Sequence, residues 1–182
     1  MTLTFILKYP QNIKMKKISC LILLLLIFTV QSCGIYSFSG TNIQSDVKTI
    51  QIDYFPNNAI LVEPSLSQEF TTRLQDLFLQ QTNLSLVKAG GDLQFEGEIT
   101  GYKINPMTAT AQQTAAQNRL TITVNVRFYN NKFEDDNFER SFSHYYDYDG
   151  NAQLTGGILD DAFNEIIERI TQDVFNASVA KW

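Results

Sequence analysis

Residues 119–130 read RLTITVNVRFYN, and this stretch settles what kind of sheet the chain builds. Leu120, Ile122, Val124, Val126 and Phe128 fall on one face of an extended chain. Thr121, Thr123, Asn125, Arg127 and Tyr129 fall on the other. Strict period-two alternation means a strand with one face in a core and one face in water, the signature of a half-covered antiparallel sheet.

Working outward from it, two further strands flank it. Residues 92–104 alternate, with Leu93, Phe95, Gly97, Ile99 and Gly101 on one face and Gln94, Glu96, Glu98 and Thr100 on the other. Residues 138–148 place Phe138, Phe142, His144, Tyr146 and Tyr148 together. An uncharged loop, NPMTATAQQTAAQN at 105–118, joins the first two, and the acidic tip NKFEDDN joins the second pair. Upstream, 47–55 (VKTIQIDYF) and 84–87 read as shorter strands. Between them 64–82 has Leu66, Phe70, Leu74, Leu77 and Phe78 at helical spacing, and Ser65 with Gln68 fits a capping box. Downstream of Gly156-Gly157, residues 158–180 carry Leu159, Phe163, Ile166, Ile170, Val174 and Ala177 as one apolar stripe. Asp160 and Asp161 sit in the first turn, where the helix dipole favours negative charge. The expected fold is α+β: a single-domain sandwich of a mainly antiparallel four- to five-stranded sheet with two helices on one face, in the order β-α-β-β-β-β-α.

The N-terminal residues have a different composition. Lys14, Lys16 and Lys17 precede a 13-residue apolar run, Ile18 to Val30, and then Gln31-Ser32-Cys33. A run of that length is short for a membrane span, which needs about 20 residues, and fits a signal peptide. Residues 1–32 are read as that leader, with Met15 a candidate true start, 33–46 as an acylated tether and 47–182 as the folded domain. Val30 and Ser32 before Cys33 resemble a bacterial lipobox, in which the cysteine becomes the lipid-bearing first residue. Several acyl chains hold a protein on a membrane where one is marginal, at about 0.8 kcal/mol per buried CH2. An ordinary secretory leader and a short membrane anchor are the alternatives. Gly34 after the cysteine and the absence of nearby acidic residues resemble lipoproteins sorted to the periplasmic face of the outer membrane.

From Cys33 onward the chain has 10 Lys+Arg against 19 Asp+Glu, a net charge of −9. Such a surface repels polyanions, so nucleic acid is not expected as a partner. The hydrophobic content of 44% is enough for a packed core. Chemistry is sparse. His144 is the single histidine, its even-spaced neighbours are Phe142 and Tyr146, and no nucleophile-base set assembles around it. Asp147-Tyr-Asp-Gly-Asn151 has its glycine at the wrong place for a calcium loop. No catalytic residue, metal or cofactor is expected, and the protein is not expected to be an enzyme.

Cys-Gly-x-Tyr-x-Phe-x-Gly at 33–40, the element order, the TVNV strand at 123–126 and the acidic-capped last helix together resemble the LptE-type lipopolysaccharide-assembly lipoprotein family. The resemblance implies an outer-membrane lipoprotein that plugs the large LptD-type β-barrel of the lipopolysaccharide translocon. It implies a role in that barrel's assembly and in delivering lipopolysaccharide to the outer leaflet. Family members can contact lipopolysaccharide phosphates through basic loop residues. Here loops 105–118 and 149–157 contain no Lys or Arg, and Arg119 and Lys103 are the nearest candidates for such contact. Candidate barrel contacts are Thr110, Gln113 and Thr123. A periplasmic adaptor or pilot for another outer-membrane complex stays open as a second class, and an enzyme built on His144 as a third.

Overall fold

The structure, a computed structural model, describes residues 43–61, 63–107 and 116–179. Along the chain it forms β1 (Thr49–Ile52), α1 (Leu66–Gln81), β2 (Ser85–Leu86), β3 (Leu93–Met107), β4 (Gln117–Asn130), a single 3-10 turn at Glu134–Asp136, β5 (Phe138–Asp149) and α2 (Gly157–Val179). The order is the expected β-α-β-β-β-β-α. The five strands make one sheet in the order β2-β1-β3-β4-β5. Its long strands β3, β4 and β5 pair antiparallel. The short β1 lies parallel to both β2 and β3, so the sheet is mixed.

β4 is fully sandwiched between β3 and β5, and its alternation is realised residue by residue. Leu120, Ile122, Val124, Val126 and Phe128 are all buried under the helices. Both helices cover this face, α1 over β1 and β2, and α2 over β4 and β5. Of the expected stripe on α2, Phe163, Ile166, Ile170 and Val174 are buried, joined by Ala162, Ile167 and Phe175. A row of rings crosses the core. Phe78 of α1 meets Phe175 of α2 at 5.0 Å and Phe95 of β3 at 4.9 Å. Phe95 meets Phe128 at 4.8 Å, and Phe128 meets Phe138 at 5.3 Å. Tilted aromatic pairs at these separations stabilise by about 0.5–1.5 kcal/mol beyond the area they bury.

β3 departs from simple alternation. Ile99 pairs with Val124 but Gly101 pairs with Thr123, so Thr100 is an extra residue, a β-bulge. One inserted residue swaps the two faces beyond it. Gly101 therefore lies on the open face, not beside Ile99 as alternation predicts. Tyr102 takes the core position opposite Ile122 and packs edge-on to Phe163 at 6.4 Å.

Two local expectations are corrected. Ser65 is already helical (φ −77°, ψ −26°) and makes no side-chain cap; Gln68 instead donates to the Thr72 hydroxyl at 2.9 Å. The long loop is shorter than 105–118, because β3 continues to Met107 and β4 begins at Gln117. The chain enters α2 through Gly156, whose φ of +55° is the left-handed region that glycine adopts without a Cβ penalty.

Where the chain enters β1, a single carboxylate fastens it. Asp92 Oδ2 accepts the backbone N–H groups of Lys48 (2.9 Å) and Thr49 (3.0 Å) and the Thr49 hydroxyl (3.0 Å). Its Oδ1 meets Lys132 Nζ at 3.2 Å. Led by the Lys48 N–H bond, these donors hold the Asp92 carboxyl far below the usual carboxylate range.

The open sheet face as the candidate functional surface

The face turned away from the helices is built by the outward residues of β3, β4 and β5. Register fixes which of them meet. Glu96 of β3 stands opposite Arg127 of β4, which stands opposite Glu139 of β5; Lys103 stands opposite Thr121, and Thr121 opposite Tyr145.

Two ionic groups organise this face. Arg127 Nε donates to Glu96 at 2.9 Å, its Nη2 to Glu98 at 3.0 Å, and its Nη1 lies 3.9 Å from Glu139. Asn125 donates to Glu139 at 2.7 Å and to Glu98 at 3.3 Å, closing the group. The Arg127 hydrogen bond lowers the Glu98 carboxyl below its ordinary value, and Glu98 in turn leads the upward shift of Arg127. The second group is a fork-to-fork pair, Arg119 Nε and Nη2 to the two oxygens of Asp147, both 2.7 Å. The Arg119 guanidinium also lies 3.6 Å from the centroid of the Tyr145 ring. Arg119 lowers the Asp147 carboxyl through this bond, and Asp147 raises Arg119. Between the two groups Thr123 and Ser143 share a hydrogen bond at 3.0 Å.

The sequence-derived candidates fall as follows. Cys33, Thr110 and Gln113 lie outside the described residues. Thr123 is in the middle of the open face. Lys103 and Arg119 share one end of it, the end where β3 stops at Met107 and β4 begins at Gln117. Arg119 is engaged by Asp147, whereas Lys103 makes no ion pair among the described residues. His144 is on the helix side, its Nε2 2.7 Å from Asp173 of α2. Among the described residues no group of three or more His, Cys, Asp or Glu could hold a metal ion, and no helix is long and apolar enough to cross a membrane.

Sequence reasoning missed the Arg127 cluster and the Arg119–Asp147 pair. The signal was present as Glu96 and Glu98 at i, i+2 on one strand and Arg127 on the next. Only the strand register says that they meet.

The face is thus polar, and its arginines are held by neighbouring carboxylates. It presents hydrogen-bonding groups around Thr123 and Ser143, between the one-to-one Arg119–Asp147 pair and an Arg127 cluster in which three carboxylates outnumber one cation. Comparison with known proteins bears on what such a domain belongs to. A hypothetical protein from Chlamydia trachomatis has the same fold over 74% of this chain and 99% of its own, with a TM-score of 0.51 at 10% identity. A minor lipoprotein from Acinetobacter baumannii aligns over 75% of this chain and 98% of its own, with a TM-score of 0.45 at 10% identity. A search of curated proteins finds no match. The family model for LptE, lipopolysaccharide-assembly, matches residues 47–178, which spans every strand and nearly all of the last helix. The chain belongs to the LptE lipopolysaccharide-assembly family.

Proposed function

We propose that this protein is an outer-membrane lipoprotein, anchored through Cys33 on the periplasmic face. Its domain sits as a plug in the LptD-type translocon barrel, where it assists that barrel's assembly and the delivery of lipopolysaccharide to the outer leaflet. The role is binding and positioning, not catalysis. The observation that carries the reading is the open sheet face of this family member. Its arginines are compensated within the face, by Glu96, Glu98 and Asp147. A polar barrel lumen calls for that kind of surface; the held arginines avoid the cost of burying an unpaired cation, and the excess carboxylates of the Arg127 cluster call for water or donors from the wall. Thr123 is the barrel-contact candidate on this face; the other two, Thr110 and Gln113, lie outside the described residues. If lipopolysaccharide phosphates touch the domain, Lys103 is the cation best placed to meet them, with Arg119 held in reserve by Asp147.

Photo-crosslinkers at Thr110, Gln113 and Thr123, with a control at buried Phe163, test the reading in cells. Adducts to a large outer-membrane barrel from the first three and none from Phe163 are expected. Capture of no barrel by any of them, in a protein that still fractionates with the outer membrane, replaces the plug with an adaptor for another complex.

A further inference from the structure

β5 is an edge strand twelve residues long. Its backbone hydrogen-bonding groups divide by parity. The Gly150 N–H donates to Ala116 O at 2.9 Å, continuing the register in which even residues of β5 face even residues of β4. The backbone N–H and C=O of Glu139, Ser141, Ser143, Tyr145 and Asp147 therefore point away from the sheet. No backbone bond from another described segment reaches them. Bare edges of this length template the addition of another strand unless something covers them.

Beside this edge runs a groove of about 450 Å3 between β5 and α2, lined by His144, Glu165, Glu168, Arg169, Gln172 and Asp173. Arg169 is taken by Glu165 at 2.8 Å. Glu168 and Asp173 remain, with His144 against Asp173, so the groove is acidic. A strand laid on β5 would send alternate side chains into this groove. The other set would lie beside Ser141, Ser143 and Tyr145 on the open face.

We propose that the β5 edge takes up an extended segment of a partner polypeptide by strand addition, a segment with Lys or Arg at alternate positions. Main-chain bonds give such an interface its affinity and alternate side chains give it its choice of partner. The basic side chains enter the groove at Glu168 and Asp173. Arg140, which lies toward the Phe138 and Phe142 rings, marks where the acidic stretch ends. A second copy of this chain is a poorer occupant. Two-fold pairing centred on Ser143 sets Glu139 against Asp147 and brings two acidic grooves together.

The test uses the full chain purified from membranes in detergent, and a synthetic peptide of about eight residues, the length of an ordinary strand, alternating lysine and threonine. Binding is expected to slow amide exchange at Ser141, Ser143 and Tyr145. Proline is tolerated on an edge where its missing N–H faces outward. Ser141→Pro is thus expected to keep the melting temperature close to wild type while weakening the peptide by about tenfold or more, a factor resolved by any titration. Methylating every second peptide nitrogen should abolish binding in one of the two phases. Glutamate in place of lysine should abolish it in any phase. Equal binding of both methylated peptides, or binding without amide protection, overturns strand addition. Equal binding of the glutamate peptide overturns the basic partner. A concentration-dependent dimer of the chain alone that Ser141→Pro dissolves overturns the partner in favour of a second copy.

Discussion

The Phe55 ring lies directly over Gly97, in the space where a side chain on β3 would stand. A Cβ placed at Gly97 would come within 2.7 Å of Phe55 Cε1 and would also press on the backbone oxygen of Asn125. Phe55 is fully buried and meets Phe70 edge-on at 5.1 Å, so it has no space to retreat into. Gly97→Ala is expected to cost at least the ~1–3 kcal/mol of an overpacked core. Pairing it with Phe55→Leu should recover part of that loss in chemical denaturation. No recovery in the double variant would locate the strain at Asn125 alone.

Phe163 fixes α2 on the sheet. It is 2% exposed and touches Tyr102, the residue that the bulge at Thr100 turns inward. Phe163→Ala should destabilise the domain by about 3–5 kcal/mol. A loss below about 0.5 kcal/mol, the range of a surface change, would contradict this packing.

Acid should loosen the fold in a defined window. Asp92, Glu98 and Asp147 all titrate below their ordinary values, through donors from Lys48, Arg127 and Arg119 respectively. A depressed carboxyl contributes stability that is fully present above its unfolded value of about 4 and is lost as pH falls through the folded value. The melting temperature should thus hold from neutral pH down to about 5 and drop below about 4. Asp92→Asn should start lower and fall less steeply with acid. An acid slope identical to wild type would remove Asp92 from the account.

Removing Arg127 leaves Glu96, Glu98 and Glu139 facing one another without a cation. Arg127→Gln is expected to cost about 1–2 kcal/mol, less than a buried pair would because the cluster is partly solvated. Salt should restore part of the loss, since the Debye length shrinks to about 3 Å at 1 M. A deficit that ignores salt would mean that the arginine acts by packing.

Cys33 as the lipid-bearing residue has a direct assay. Metabolic labelling with a fatty-acid analogue should tag the wild type and leave Cys33→Ser unlabelled. Equal labelling of the two would end the lipoprotein reading.

Much of this architecture is legible in the sequence, because it follows from periodicity. β4 alternates without a fault over Leu120 to Phe128, and both helices carry stripes at spacings of three and four. What stayed hidden depends on how strands slide past one another. Nothing in the local sequence marks Thr100 as an inserted residue, so alternation alone puts Gly101 on the wrong face. Arg127 had outward neighbours on two strands, and only the register chose Glu96 and Glu98. Ser65 and Gln68 have the composition of a capping box, but Ser65 had already turned into the helix, and Thr72 one turn on offered Gln68 a partner. The polarity of the candidate surface follows from the alternation of β3 and β4. That its arginines are held within the face could be learned only from the pairing.

The Asp92 clasp has a mechanical consequence. If the domain hangs from an acylated Cys33, as proposed, tension passes from Ile43, which packs on the core, to Lys48 and Thr49, where Asp92 grips two consecutive backbone N–H groups and a hydroxyl. Immediately beyond, β1 is flanked on both sides by parallel neighbours. A pull along its axis therefore loads its rungs together in shear, whereas a peeling geometry would break them in turn. Under that anchoring, a pull on the chain entering the domain is resisted at Asp92 and along β1 as well as by apolar packing, like a rope made fast at a cleat.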